Sequence, residues 1–229
     1  MCEILLAVWP EPSPIEQVLE WGTALERYGL GGFGWGVAWR GPGGVASYRH
    51  PGQLAGDNAG RARLAAIRST HFLVHLRRPS QLTTIAPADT QPFRAEDGSF
   101  AFAHNGRLDG AEGLRGRFGT KLQGRADSEV GFRLFEELLG EGQSARAALP
   151  AIHTQLGGTA NLAFLPAEGA PLVYAGAPAN QLWSFDLAGA EVVSTGLHST
   201  DEAVFEFCFP GASHRARILD GETVAVAEI

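Results

Sequence analysis

The sequence has few cysteines and fewer basic than acidic residues. The first shortage excludes a disulfide-rich protein, and the second argues against a nucleic-acid-binding protein. Cys2 and Cys208 are the only cysteines in 229 residues. Two distant cysteines are too few for a disulfide framework and are typical of a reducing compartment. Eighteen lysines and arginines against 25 acidic residues give a net charge of −7. Since such a chain is not attracted to phosphate backbones, we predict no nucleic-acid partner.

Long apolar runs and clustered metal ligands are missing as well. No apolar run approaches the roughly 18 residues of a membrane span, and no basic-then-apolar leader is present. We therefore expect no membrane partner and a cytoplasmic location. His50, His153 and His198 are scattered without ligand spacing, so we predict no metal, and no motif calls for a cofactor.

The composition is that of an ordinary globular protein, 45% hydrophobic and 19% charged, and we predict one domain over residues 1–229. Hydrophobic periodicity predicts helices over 15–28, 60–68, from just after 127, and 144–156. Strands are predicted at 3–9, 37–40, 45–49, 71–76, 99–104, 161–165, 172–174, 181–185, 191–195, 203–209, 216–219 and 223–227. Strands first, helices in the middle and strands last indicate an α+β fold of two sheets with helices outside.

Local signals refine the first quarter of the chain. Pro10 and Pro12 are expected to stop the first strand. The segment 13–16 has the spacing of a capping box, with Pro14 at the first helical position. The glycine-rich run 29–36 leads into a strand and has no P-loop lysine, so we exclude a phosphate-binding loop.

The chain begins Met1-Cys2-Glu3 and continues directly into an apolar strand. Removal of Met1 would leave Cys2 with both a thiol and a free α-amine. Their ordinary pKa values are about 8.5 and about 7.7 to 8.0, so the amine can accept the proton of the thiol. We expect the working protein to begin at Cys2, although many chains start with Met-Cys by chance.

Three further segments offer one partner for each group of a glutamine molecule. Arg77 can hold the α-carboxylate with its bidentate fork, and Asp127 can accept the α-ammonium. Asn105 and Gly106 offer a side-chain amide and a backbone N–H, the donor pair that an oxyanion needs.

Each motif taken alone has a more ordinary interpretation. Asp127 or Ser128 is a suitable helix N-cap, Asn105-Gly106 is a common tight-turn dipeptide, and Arg77 or Arg78 suits a surface ion pair. The occurrence of all three in this order after Cys2 is what favours a site.

With the segments 34–36, 75–80, 102–106 and 127–129, the first 140 residues resemble the class II glutamine amidotransferases. These are N-terminal-nucleophile hydrolases, and the resemblance is to the stand-alone kind that includes the ergothioneine-pathway amidohydrolase. It implies a four-layer αββα sandwich, with Cys2 as nucleophile and its own amine as base. The roles implied for the other residues are an oxyanion hole of Asn105 and Gly106, and substrate binding by Arg77, Ser80 and Asp127.

Three supporting positions depart from the family pattern. Leu30, Phe33 and Gln91 stand where an arginine, an aspartate and a histidine are usual. Of the remaining candidates, His104 is expected to be a buried packing residue beside the site and Cys208 a core thiol.

We expect hydrolysis of a γ-glutamyl amide through a thioester on Cys2, releasing ammonia or an amine. A separate synthase subunit is expected wherever that ammonia is passed to an acceptor. Two alternatives are a γ-glutamyl peptide hydrolase with a larger leaving group and a catalytically silent binding subunit.

Overall fold

The computed structural model describes residues 2–29, 31–79, 85–197 and 202–226. Met1, Leu30, Ser80, His198 and the end of the predicted strand 223–227 lie outside these ranges. The described residues form twelve strands and six α-helices. The strands are β1 (Glu3–Pro14), β2 (Trp35–Gly41), β3 (Gly44–His50), β4 (Arg68–Leu76), β5 (Phe93–Arg94), β6 (Phe100–Arg107), β7 (Thr159–Pro166), β8 (Leu172–Tyr174), β9 (Leu182–Leu187), β10 (Ala190–Thr195), β11 (Ser213–Arg217) and β12 (Thr223–Ala225). The helices are α1 (Ile15–Tyr28), α2 (Asn58–Leu64), α3 (Ala111–Phe118), α4 (Asp127–Gly140), α5 (Ala145–Leu156) and α6 (Glu202–Cys208).

The strands form two antiparallel sheets. One has seven strands in the order β11-β9-β10-β1-β4-β2-β3, and the other has five in the order β12-β8-β7-β6-β5. Strand β1 is central in the larger sheet, where it pairs with β10 on one side and β4 on the other.

Three apolar cores separate four layers, and β1 contributes to two of them. Successive side chains of a strand point to opposite faces. Leu5, Ala7 and Trp9 accordingly pack with α1 and α6, while the even-numbered side chains of residues 4–8 pack between the two sheets. The third core lies between the five-stranded sheet and α3, α4 and α5. The αββα sandwich is confirmed, and burial on both faces explains why β1 is a continuous apolar run.

Helix α1 ends at Tyr28 as predicted, but its start differs from the prediction. Pro14 is the N-cap rather than the first helical residue, and no side chain caps the helix. The hydroxyl of Ser13 instead donates to the carbonyl of Glu11. The predicted capping box is therefore wrong.

The prolines also do not end β1, which runs on to Pro14. They interrupt its pairing instead, because proline has no N–H to donate. The register with β4 shifts between Val8 and Ser13, the interval that contains Pro10 and Pro12.

The predicted strand over 203–209 is wrong, since these residues belong mostly to α6. Phe205, Cys208 and Phe209 are buried at helical spacing, and the ring of Phe209 lies 4.7 Å from that of Phe185. The alternating aromatic residues have the spacing of a strand, but the helix is the conformation in which the buried side chains pack on the larger sheet. Cys208 is a buried free thiol, as predicted.

Two elements were not predicted, α3 and the two-residue strand β5. Helix α3 contains two glycines and two arginines, so its apolar pattern is weak. The other predicted helices and strands are present with shifted ends.

Candidate active site

Cys2 directly precedes the central strand β1. Glu3 pairs with Leu76, the last residue of β4, so the chain leaving β4 passes beside Cys2. The backbone N–H of Arg78 donates to the sulfur of Cys2 at 3.4 Å, and the thiol lies 3.7 Å from the carbonyl oxygen of Arg78 as a donor. The two ends of neighbouring strands thus hold the sulfur in place.

Burial raises the pKa of the Cys2 thiol above its ordinary value. The hydrogen bond from Arg78 and the positive charge of Arg77 act in the opposite direction. Since the net effect favours the protonated thiol, attack by this sulfur requires a group that takes its proton.

Asn105 and Gly106 lie inside strand β6, opposite Asn161 and Ala160 of β7. The tight-turn interpretation of this dipeptide is therefore wrong. The side-chain Nδ2 of Asn105 donates a hydrogen bond to the carbonyl oxygen of Cys2. An amide donor from the five-stranded sheet thus lies next to the cysteine at the start of the central strand of the seven-stranded sheet.

Gly106 has a backbone conformation that only glycine adopts readily, with φ at 140°. A Cβ atom at this position would also overlap the carbonyl oxygen of Thr159 on β7. Any other residue would push the two strands apart beside Asn105.

Arg77 is 4% exposed, which contradicts the surface ion-pair interpretation for this residue. Its backbone N–H donates to the carbonyl of Gly34 at 2.7 Å, and its carbonyl accepts from Phe33 at 3.1 Å. Burial lowers the pKa of its guanidinium, and the negative charges of Asp89, Asp127 and, when it is ionised, the Cys2 thiolate oppose this effect. Arginine stays charged in either case.

Asp127 is the first residue of α4, and the N-cap is Ala126, whose side chain cannot cap. The N-cap interpretation of Asp127 or Ser128 is therefore wrong. One carboxylate oxygen of Asp127 accepts from Leu108 N–H at 2.8 Å and the other from Ser128 N–H at 2.9 Å. The carboxylate lies where β6 ends and keeps lone pairs for a further donor.

Two buried carboxylates that the sequence analysis missed hold the loop before Asp127. Asp89 accepts from the backbone N–H groups of residues 125 and 126, at 2.5 and 2.7 Å. Glu129 accepts from those of residues 123 and 124, both at 2.8 Å. Glu129 belongs to the segment 127–129 but its neighbours in sequence indicate no role for it, and nothing local in the sequence distinguishes Asp89.

Gln91, one of the three departures, is buried behind Asn105. Its Nε2 donates to the carbonyl of His104 at 3.1 Å, and its Oε1 accepts from the N–H of His104 at 2.6 Å. This pair of bonds anchors β6 one residue before Asn105. His75 Nε2 lies 3.2 Å from the same carbonyl, and burial lowers the pKa of His75 to about 3, so its ring is neutral.

Four further residues were named for the site in the sequence analysis. His104 is buried as expected, and its Nδ1 lies 2.9 Å from the hydroxyl of Ser128. Phe33 is partly exposed beside the segment that follows β4. Ser80 and Leu30 lie outside the described residues.

The described part of the chain contains no group of three or more His, Cys, Asp or Glu side chains that could hold a metal ion. Within the same residues, no helix has the length and apolar character needed to cross a membrane.

Comparison with solved structures supports the fold. A glutamine phosphoribosylpyrophosphate amidotransferase from B. subtilis, complexed with ADP and GMP, is 17% identical with a TM-score of 0.74 over 97% of this chain. The chain spans 46% of that protein, about half its length. A class-II glutamine aminotransferase domain protein from Silicibacter pomeroyi is 20% identical with a TM-score of 0.60, covering 97% of this chain and 94% of that one. A predicted glutamine amidotransferase from Pseudomonas aeruginosa is 17% identical with a TM-score of 0.55, covering 98% and 97%.

No curated protein matched the sequence. Residues 1–185 match the family described as class-II glutamine amidotransferases. The match ends before β10, and one domain over 1–229 stays a prediction. With most of its length matched, the chain belongs to the class II glutamine amidotransferases, a family that hydrolyses the amide of glutamine with an N-terminal cysteine.

Proposed function

We propose that this protein hydrolyses γ-glutamyl amides, with glutamine as the simplest substrate, and that Cys2 is the nucleophile. The observation that carries the proposal is the hydrogen bond from the amide of Asn105 to the carbonyl of Cys2. It places a side-chain donor against the backbone of the residue that carries the sulfur.

In the first half of the reaction the thiol of Cys2 adds to the side-chain carbonyl carbon of glutamine. The thiol proton passes to the α-amine of Cys2, and the carbonyl oxygen becomes an oxyanion. The protonated amine then gives its proton to the amide nitrogen, the C–N bond breaks, and ammonia leaves. A γ-glutamyl thioester remains on Cys2.

In the second half water adds to the thioester and gives a proton to the same amine. The C–S bond breaks, the sulfur recovers a proton, and glutamate leaves. Glutamine and water have become glutamate and ammonia, and the enzyme has returned to its starting state.

Asn105 and Gly106 would stabilise the oxyanion in both halves. A side-chain amide carries two N–H groups, so one can keep its bond to Cys2 while the other donates to the oxyanion. Removing one such donor typically costs about 3 to 4 kcal/mol of transition-state stabilisation.

Arg77 and Asp127 would bind the α-carboxylate and the α-ammonium. Arg77 is buried, so its guanidinium is only weakly screened by water, and a carboxylate bound there gains more from it than at a surface. Asp127 would accept the ammonium with the lone pairs that its two backbone bonds leave over. Ser80 is included among the proposed substrate-binding residues from the motif alone.

The leaving group is the part of the substrate that these residues do not contact. The proposal therefore covers both ammonia and larger amines, and it includes a separate synthase subunit wherever the ammonia is passed on. Because Cys2 must remain a thiol, the proposal also includes a reducing compartment, the cytoplasm.

The test is to measure ammonia release from L-glutamine and aniline release from γ-glutamyl anilides. D-Glutamine and L-asparagine serve as controls, because each misplaces either the head group or the amide. We expect turnover of L-glutamine and the γ-glutamyl anilides, and no turnover of D-glutamine or L-asparagine. No turnover, together with a Cys2 that does not react with 6-diazo-5-oxo-L-norleucine, would overturn the proposal and favour the catalytically silent binding subunit.

A further inference from the structure

Three buried asparagines form a chain of hydrogen bonds behind Cys2. Nδ2 of Asn161, on β7, donates to Oδ1 of Asn105 at 3.3 Å and to the carbonyl of Asn180 at 2.6 Å. Nδ2 of Asn180 donates to the carbonyl of Cys2 at 3.3 Å and to a carboxylate oxygen of Glu3 at 3.2 Å. Of these three asparagines, only Asn105 has a role in the proposed function.

Backbone groups determine which way the amide of Asn161 faces. Its Oδ1 accepts from the backbone N–H groups of Gly176 and Ala177, at 3.2 and 3.1 Å. Only an oxygen can accept these two bonds. The nitrogen must therefore be the atom that faces Asn105 and the carbonyl of Asn180.

The orientation of Asn161 in turn determines that of Asn105. The atom of Asn105 that faces the NH2 group of Asn161 must be its oxygen, since two NH2 groups cannot bond to each other. The NH2 group of Asn105 is then directed to the carbonyl of Cys2, where it is found. Reversal of the Asn105 amide would place two oxygens against each other at Cys2.

Burial leaves these two amides no alternative hydrogen-bond partners. Asn161 and Asn105 are each 1% exposed, so water cannot replace a missing partner. A buried polar group left without a partner carries its full desolvation penalty. The neighbouring side chains Ala163 and Leu165, on the same face of β7, belong to the apolar core between the sheets.

The geometry points to Asn161 as the positioning residue that directs the amide NH2 of Asn105 toward Cys2. This inference rests on the proposed function, because it assigns the oriented amide to the oxyanion hole. The side chain of Asn161 bonds to Asn105 and to backbone groups of Asn180, Gly176 and Ala177, so its effect on the reaction passes through Asn105.

The variant that tests it is Asn161→Asp. The carboxyl group has the same shape and keeps an oxygen for Gly176 and Ala177, but it has no NH2 group to offer Asn105. The amide of Asn105 can then turn and donate to residue 161 instead of toward Cys2. We expect kcat for glutamine to fall on the order of 10²-fold, the usual cost of one oxyanion donor. KM should stay unchanged, because the head-group contacts are untouched.

Two controls separate positioning from a general structural role. Leu162→Ala removes a buried side chain of the same strand that packs in the core on the other face. It should lower stability while kcat per folded molecule is kept. In the double variant Asn105→Ala/Asn161→Asp, the second change should add no further loss, because both act through one donor.

The orientation of the Asn105 amide is measured by NMR, independently of turnover. The side-chain NH2 resonances of Asn105, identified by their loss in Asn105→Ala, should shift in Asn161→Asp. Unshifted resonances, an unchanged kcat, or additive losses in the double variant would each overturn the inference. If wild-type protein does not turn over glutamine but the resonances shift, the positioning stands and the proposed function fails. If Asn161→Asp does not fold, Asn161→Ser, which also lacks the amide, is measured by the same criteria.

Discussion

The backbone N–H of Arg78 points at the sulfur of Cys2 across 3.4 Å. The residue before it in the chain is Arg77, the proposed ligand of the substrate carboxylate. A single stretch of main chain therefore positions the sulfur and also carries the guanidinium. The distance between the head group of a bound glutamine and the nucleophile is thereby tied to the end of β4.

Cys2→Ala should abolish turnover and leave the fold intact. Alanine removes the sulfur but keeps the backbone carbonyl that Asn105 and Asn180 bond to. Cys208→Ala, which removes the only other thiol, should keep its turnover, because that residue is buried in the core beneath α6. Ammonia release and circular dichroism measure the two effects, and ammonia release by Cys2→Ala would disprove the mechanism.

Arg77→Lys should raise KM for glutamine on the order of tenfold or more, because an ammonium cannot reproduce the bidentate fork. Arg78→Lys is the matched control: its side chain is exposed, and its backbone bonds to Cys2 do not depend on side-chain identity. Steady-state kinetics of both variants check this. The opposite result, with KM raised only in Arg78→Lys, would assign the carboxylate to Arg78.

The stability of Glu3→Gln relative to wild type should increase as pH rises from 5 to 8. Burial raises the pKa of Glu3 from 4.5 to about 7, against hydrogen bonds from Thr195 and Asn180. Between these two pH values the folded chain holds a proton that the unfolded chain has lost, so wild-type stability falls as pH rises, and the loss is complete about one pH unit above the folded pKa. The variant lacks this loss, which is on the order of 3 kcal/mol.

Urea unfolding of both proteins at pH 5 and pH 8 measures the Glu3 effect. The buried histidines titrate in both proteins and cancel in the difference. Glu11→Gln, which changes an exposed glutamate of the same strand, should follow the wild type. A difference between Glu3→Gln and wild type that does not grow with pH would contradict the prediction.

Active protein should lack Met1. With methionine retained, the nitrogen of Cys2 is a peptide nitrogen, which is not basic and cannot take the proton of the thiol. Intact mass spectrometry of preparations of differing activity measures this directly. Activity should follow the fraction of chains that begin at Cys2, and a fully active preparation that keeps Met1 would exclude the free-amine mechanism.

The sequence by itself determined the parts of this protein that depend on near neighbours in the chain. The apolar face of α1, with Ile15, Val18 and Leu25 buried, follows from helical spacing alone. The position of Cys2 before a buried strand and the α+β class of two sheets with helices outside also followed from local patterns, and the αββα sandwich followed from the family resemblance of the motifs. The helix face and the fold class each rest on a pattern repeated over many residues, so no single contact decides them.

Only the tertiary structure decided which polar groups meet. Asn105 and Asn161 are 56 residues apart in sequence, and Asn180 and Cys2 are 178 apart, yet register and sheet packing bring them into contact. The same is true of Asp89 and the loop before Asp127. A hydrogen bond forms only when donor and acceptor are placed to within a few tenths of an ångström. Hydrophobic periodicity predicts which face of an element is buried, but it does not predict such distances between residues far apart in the sequence. The orientation of the Asn105 amide is therefore a property of the fold.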